Sequence, residues 1–249
     1  MIRHPLAALT LSSLLVAIST HADDERKPWG YAGAAGPERW GDLDAAYETC
    51  KVGLQQSPID LATANAIAEI DVSVDYEPGP LTVSSGKTVQ VDFPHGSYLT
   101  TSGQVFRLVQ VHFHTPSEHT FAGETYPLVA HFVHVSHAGE LAVLGVLFEE
   151  GAGNAELGKI IDSARSAGTE ASEFPEVTLH PRALVPEDID VFRYMGSLTT
   201  PPCSEGVNWH VVETPLTAGA DQIDAFESMM GNNARPVLPT NGRLVVAPE

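Results

Sequence analysis

The chain has 249 residues, with 13 lysines and arginines against 32 aspartates and glutamates, so its formal net charge is −19. So acidic a chain should repel nucleic acid and anionic membrane surfaces, and we expect neither a nucleic-acid nor a membrane partner. The sequence contains no internal repeat, no low-complexity linker and no second long apolar run after its start. A single domain is therefore expected, because all-β domains reach this length without dividing.

The first 22 residues have the pattern of a secretory signal. Arg3 gives a basic start, an apolar run extends over residues 6–18, and Thr-His-Ala at 20–22 fits the small-x-small cleavage rule. The run is shorter than the roughly 20 residues that cross a bilayer. We predict a cleaved signal peptide over residues 1–22 and a mature domain over residues 23–249, in the periplasm or secreted; an uncleaved anchor is the alternative.

Only two cysteines are present, Cys50 and Cys203. An exported protein matures in an oxidising compartment, where cysteine pairs form disulfides. We therefore predict a Cys50–Cys203 bond that closes a loop of roughly 150 residues, for which the chain-entropy model gives a little under about 5 kcal/mol. Two free thiols are the alternative.

The coarse secondary structure is mostly strand. Segments rich in β-branched and aromatic residues lie between Gly, Pro, Asn and Ser, which predicts strands at 81–83, 88–93, 106–113, 128–135, 141–148, 191–195 and 207–212. Helical periodicity is confined to residues 154–166 and 220–230. The expected class is mainly β, with a large, mostly antiparallel sheet and short peripheral helices.

Three histidines on two predicted strands indicate a metal site. His112 and His114 are two residues apart, so their side chains share one face, with Cα atoms about 6.6 Å apart. The prolines and glycine of residues 115–127 suit a turn that returns the next strand beside the first, which brings His131 near. Three imidazoles without a fourth protein ligand are typical of catalytic zinc, although packed strand histidines are the alternative.

One alternative lies in another fold. His112, His114 and Glu118 also fit the first metal motif of a cupin, with the carboxylate of Glu118 as a ligand. The second cupin motif, a Pro-x-Gly turn followed by histidine and asparagine, does not occur around His131.

Several longer motifs resemble those of the α-class carbonic anhydrases, of the exported bacterial type. They occur in order as Trp-Gly-Tyr at 29–31, Gly-Pro-Glu-Arg-Trp at 36–40, Gln-Ser-Pro-Ile-Asp at 56–60, Ser-Glu-His at 117–119, Ser-Leu-Thr-Thr-Pro-Pro at 197–202, and Trp209. The resemblance thus extends over nearly the whole mature chain.

The resemblance implies a zinc enzyme that interconverts carbon dioxide and bicarbonate, using zinc-bound hydroxide as the nucleophile. It implies a central twisted sheet with Zn²⁺ at the bottom of a conical cleft, held by His112, His114 and His131. The expected partners are carbon dioxide, bicarbonate, water and buffer, and a homodimer is a further expectation. A non-catalytic binding module and a periplasmic metal carrier on the same scaffold are the alternatives.

The resemblance also implies roles for other residues. Thr199 would hydrogen-bond the nucleophile, and Glu118 would accept a hydrogen bond from Thr199. Without the resemblance, a surface turn residue is the preferred interpretation of Glu118. Thr200 would help to hold bicarbonate, Gln110 would orient a ligand imidazole, and Tyr31 would belong to the solvent network of the cleft. The positions that match the substrate pocket, which as strand residues also suit an ordinary core, are Val133, Val143, Leu198, Val207 and Trp209.

Two positions depart from the family pattern. Lys87 stands where most members have a proton-shuttling histidine, and a lysine that is protonated at neutral pH cannot accept the next proton. We expect turnover limited by proton transfer; a substitute shuttle at His95 is the alternative. Val129 stands where the family has a glutamate that hydrogen-bonds the ligand corresponding to His131, so we expect zinc to be held more loosely.

Overall fold

The computed structural model describes residues 27–94 and 96–249. The predicted signal peptide and His95 lie outside these described residues. In the described residues, strands carry the three histidines of the predicted site, and the helices are short.

The strands are β1 Ala66–Ile67, β2 Val72–Asp75, β3 Gly79–Ser85, β4 Val89–Asp92, β5 Tyr98–Thr101, β6 Gln104–His114, β7 Leu128–Ser136, β8 Leu141–Glu150, β9 Ser172–Leu179, β10 Val191–Ser197, β11 Glu205–Val212, β12 Leu216–Ala218 and β13 Val245–Ala247. The α-helices are α1 Trp40–Leu43, α2 Thr49–Val52, α3 Ala155–Ala164 and α4 Ala220–Met230. Single turns of 3₁₀ helix lie at Gly33–Ala35, Pro37–Arg39, Ala45–Tyr47, Leu61–Thr63 and Pro181–Leu184.

The strands of the described chain form one large sheet. Its main path runs β1-β13-β10-β11-β8-β7-β6-β4-β3-β9, with β5 and β2 continuing from β6 and β12 pairing with β8. Among the described strands only three pairings are parallel, those of β1 with β13 and of β8 with β11 and β12. The prediction of a single, mainly β domain with a mostly antiparallel sheet and short helices is confirmed.

All seven predicted strands occur in the structure, most of them longer than predicted. The helix predicted at 220–230 matches α4, and the one predicted at 154–166 is shorter, as α3. Asn154 is the N-cap of α3 rather than its first residue, because its side chain accepts from the N–H groups of Glu156 and Leu157. The strands that sequence analysis did not predict are β1, β2, β5, β9, β12 and β13, all at most eight residues long.

Strand alternation divides the core between the two faces of the sheet. On β7, Ala130 and Phe132 enter the larger cluster, which also holds buried residues of α3 and α4. Val129 and Val133 belong to a smaller cluster on the opposite face, around Trp209. His131 lies on this second face, because side chains two residues apart point the same way.

Candidate active site

The register between β6 and β7 brings the three predicted metal-binding histidines together. His112 pairs directly with His131 across the two antiparallel strands, and His114 follows on the same face of β6. One ring nitrogen from each side chain lies within 4.8 Å of the others. The chain thus turns between β6 and β7 and brings His131 beside the first two histidines.

The cluster has the properties of a metal site. His114 Nε2 and His131 Nδ1 are buried and have no hydrogen-bond partner among the described residues. Burial lowers the pKa of His112 and His131 well below the ordinary 6.5, and the neighbouring His114 acts in the same direction. Both rings are therefore neutral at neutral pH and offer lone pairs, and three imidazoles are a donor set that suits Zn²⁺.

Two of the three rings are oriented by hydrogen bonds from their other nitrogen. His112 Nδ1 donates to Gln110 Oε1 at 2.9 Å. His114 Nδ1 donates to the backbone carbonyl of Asn233 at 2.8 Å. Acceptors of this kind fix the tautomer of a ligand histidine, so that its other nitrogen faces the metal.

Glu118 is buried beside the cluster rather than exposed on a surface turn. Its Oε1 accepts from the backbone N–H of Arg235 at 2.9 Å, and its Oε2 lies 3.6 Å from His114 Nε2 and 3.8 Å from His131 Nδ1. Burial raises the pKa of Glu118, while His114, the Thr199 hydroxyl and the Arg235 N–H favour its ionised form. The carboxylate and the Thr199 hydroxyl therefore lie close together.

The loop that carries Thr199 is fixed at both ends. It leaves β10 after Ser197, and its chain turns back where the N–H of Cys203 donates to the carbonyl of Thr200 at 2.8 Å. Cys203 is joined to Cys50 by a disulfide with an S–S distance of 2.10 Å, as predicted. The loop is thereby linked to the N-terminal part of the described chain, and Thr199 is buried.

An apolar surface lies against the histidine cluster. The ring of Trp209 lies 4.9 Å from that of His131, and Val143 pairs with Trp209 across β8 and β11 and with Val133 across β7 and β8. The five residues matched to the substrate pocket form one cluster, in which Val143, Val207 and Trp209 are buried and Val133 and Leu198 pack against them.

A cleft of ≈ 420 Å³ opens from the cluster to solvent. Its lining includes Trp29, Tyr31, Lys87, Gln110, His112, His114 and Thr200. Lys87 is exposed, with Nζ 5.1 Å from the centroid of the Trp29 ring. Burial raises the pKa of Tyr31, and the charge of Glu118 adds to this effect, so its hydroxyl stays protonated.

Sequence reasoning missed several groups that the fold brings to this site. The Asn233 carbonyl on His114 and the Arg235 N–H on Glu118 come from a segment more than a hundred residues away. Both contacts are made by backbone groups, and a backbone contact has no side-chain pattern in the sequence that could identify it. Trp29 belongs to the Trp-Gly-Tyr motif at 29–31, but its contact with Lys87 depends on the tertiary fold and could not be predicted from that motif.

Taken together, the sheet, the three converging imidazoles, the buried carboxylate and the apolar surface define a mainly β protein with a three-histidine site that could hold a metal ion. The described residues contain no helix that is long and apolar enough to cross a membrane.

Comparisons with known proteins identify the family. The sequence profile described as eukaryotic-type carbonic anhydrase matches residues 35–249. A carbonic anhydrase of Nostoc is 42% identical over 225 residues, covering 88% of this chain and 85% of the relative. One from Neisseria gonorrhoeae is 37% identical over 247 residues, covering 97% of each chain. The α-carbonic anhydrase of Thermovibrio ammonificans, solved with sulfanilamide, aligns with a TM-score of 0.81 and 42% identity over 88% of this chain and 99% of that one.

This chain therefore belongs to the eukaryotic-type, or α-class, carbonic anhydrase family, and the predictions of the family and of an enzyme are confirmed. The cupin alternative is wrong, since the fold is that of the α-carbonic anhydrases.

Proposed function

We propose that this protein hydrates carbon dioxide reversibly to bicarbonate and a proton, on a Zn²⁺ ion held by His112, His114 and His131. The convergence of three ring nitrogens, two of them buried without a partner, carries this proposal. Zinc bound here would lower the pKa of water from about 15.7 to about 7 and so supply hydroxide at neutral pH.

Thr199 and Glu118 would orient the nucleophile. An ionised carboxylate can only accept hydrogen bonds, so the Thr199 hydroxyl would donate to Glu118 and turn a lone pair toward the histidine cluster. That lone pair would accept a hydrogen bond from the O–H of the attacking hydroxide, so that a lone pair of the hydroxide would face the substrate carbon. The Arg235 N–H on Glu118 supports this role, because it favours the ionised carboxylate.

The apolar surface would receive carbon dioxide, which has no net charge and needs no hydrogen bond. The surface is formed by Val133, Val143, Leu198, Val207 and Trp209, and it lies against His131. Bicarbonate is charged and gains nothing from such a surface, so product would be held by Thr200 in the cleft and released to solvent.

Lys87 would make proton release the slow step. It lies at the exposed mouth of the cleft, in place of the histidine that would relay the proton. Tyr31 would stay protonated in the cleft and take part in its solvent network. Protons would leave through small buffer molecules that enter the cleft, so buffer concentration would set the rate.

The test is stopped-flow carbon dioxide hydration by purified mature protein of known zinc content, over a series of buffer concentrations. We expect rapid hydration that rises with buffer, disappears with a zinc chelator and returns with added Zn²⁺. The matched control is His112→Gln, which removes one ligand at the cleft. Zinc-loaded protein without hydration activity would refute the proposal.

We further propose that residues 1–22 are removed on export and that the protein acts in the periplasm or outside the cell. The disulfide supports this, because such bonds persist in oxidising compartments. Mass spectrometry of protein from an expressing cell should give a mature chain that begins at residue 23. The homodimer stays a prediction, which sedimentation of the mature protein would test.

A further inference from the structure

The three histidine rings of the cluster differ in the hydrogen bonds that orient them. The second nitrogens of His112 and His114 donate to Gln110 Oε1 and to the Asn233 carbonyl, at 2.9 and 2.8 Å. The second nitrogen of His131, Nε2, is buried and has no hydrogen-bond partner among the described residues. One of the three rings therefore lacks the contact that fixes the other two.

The absence of an acceptor follows from the residues on the same strand face. Val129 precedes His131 by two residues on β7, so both side chains point to the same side of the sheet. Val129 is fully buried in the apolar cluster that contains Leu147, its partner on β8, and Trp209. A valine side chain has no polar atom, and Gly145, which pairs with His131, has no side chain to supply one.

A second buried nitrogen near His131 has the same deficit. His119 Nδ1 has no partner among the described residues, and its ring lies 6.1 Å from that of His131. Both rings pack against Trp209, at 4.8 and 4.9 Å. The opposite nitrogen of His119 is bonded to the Tyr194 hydroxyl at 2.7 Å, so this ring is held from one side only.

A buried N–H without an acceptor weakens its ring as a ligand. An acceptor raises the basicity of a ligand imidazole and holds it in one orientation, and its loss typically costs about 10–100-fold in metal affinity or activity. Neither ring nitrogen of His131 has an acceptor among the described residues, so metal binding to one of them leaves the N–H of the other buried and unpaired.

We propose that Val129 makes His131 the weakly held member of the cluster, so that this protein releases zinc faster than a variant with an acceptor at position 129. The inference rests on the proposed zinc site and concerns how firmly that site retains its metal. Val129 acts here as a positioning residue, since it touches neither the metal nor the substrate.

The experiment measures zinc release directly rather than activity. Zinc-loaded wild type, Val129→Glu, Val129→Gln and Val129→Leu are mixed with excess chromophoric chelator, and the rate of metal transfer is recorded. We expect release from Val129→Glu to be at least about tenfold slower than from wild type. Val129→Gln should lie between them, and Val129→Leu, which is apolar, should match wild type.

Near-UV circular dichroism establishes which variants are folded, and Val129→Gln decides the question if the buried carboxylate prevents folding. Equal release from wild type and a folded Val129→Glu or Val129→Gln would overturn the proposal. So would slower release from Val129→Leu, because packing alone would then explain the effect. Failure of wild type to bind stoichiometric zinc would refute the proposed function instead.

A second measurement needs no variant. In zinc-loaded wild type labelled with ¹⁵N-histidine, the ring N–H protons of His112 and His114 should resonate downfield of the ring N–H proton of His131, because only the first two are hydrogen-bonded. A His131 proton as far downfield as the others would overturn the proposal.

Discussion

Two buried histidines outside the three-histidine cluster should make the protein lose stability in acid. His134 Nε2 bonds to the Tyr76 hydroxyl at 2.7 Å and its Nδ1 to the Ala142 carbonyl at 3.3 Å, and His210 Nε2 bonds to Thr101 Oγ1 at 3.0 Å. Both rings are fully buried. Burial lowers the pKa of each to about 3, from an ordinary 6.5.

The sign follows from proton uptake. Below about pH 6.5 the unfolded chain protonates both histidines, whereas the folded protein keeps them neutral until near pH 3. The unfolded state therefore binds more protons in this window, and the free energy of unfolding falls as the pH falls. Each histidine contributes up to about 1.4 kcal/mol per pH unit, or about 2 kcal/mol between pH 6.5 and about pH 5.

The perturbation is His210→Gln, which keeps an amide donor near Thr101 but does not titrate. Urea unfolding at a series of pH values between 7 and 4 gives the free energy of unfolding for variant and wild type. We expect the free energy of unfolding to fall more steeply with falling pH in wild type than in the variant. The difference in slope should correspond to about one proton, because the other ionisable groups are the same in both proteins. Parallel curves would show that His210 is protonated in the folded state or stays uncharged in the unfolded one. His134→Gln repeats the test at the second site.

Changes in the cleft and at the disulfide have separate expected outcomes. Lys87→His places a group that titrates near neutral pH at the cleft mouth, so stopped-flow hydration should be faster and less dependent on buffer, with Lys87→Gln as the control. Equal buffer curves for all three proteins would contradict the role given to Lys87. Thr199→Val removes the hydroxyl beside Glu118 and should lower kcat/KM by about 100-fold, as loss of one positioned hydrogen-bonding group does elsewhere; a change below about threefold would rule out that role. The double variant Cys50→Ser and Cys203→Ser should lower the free energy of unfolding by about 2–5 kcal/mol, measured in urea, because the bond spans a sequence separation of 153 residues. An unchanged urea midpoint would mean that the bond contributes nothing to stability.

The central strands could be predicted from the sequence because their side chains are buried on both faces. β7 and β8 are nearly continuous apolar segments bounded by turns, which is a strong local signal. β9 was missed because it contains a proline and two glutamates and pairs only with β3, at the edge of the sheet. Its strand conformation is imposed by that tertiary pairing rather than by its own sequence.

The same distinction applies to the site. The spacing of His112, His114 and His131 predicts their convergence, because strand geometry and a turn determine it. The burial of Glu118 could not be deduced from its neighbours, since it depends on Arg235, 117 residues further along the chain. The family resemblance supplied that assignment, and the structure gives its physical reason.

The contact between His114 and Asn233 has a consequence for the order in which the site is completed during synthesis. A chain emerges from the ribosome amino end first, so all three histidines appear about a hundred residues before Asn233 and Arg235. Until those last residues arrive, His114 lacks the carbonyl that orients it and Glu118 lacks its backbone donor. A nascent chain interrupted between β11 and β13 would contain all three histidines of the proposed zinc site and still lack the contacts that orient His114 and hold Glu118.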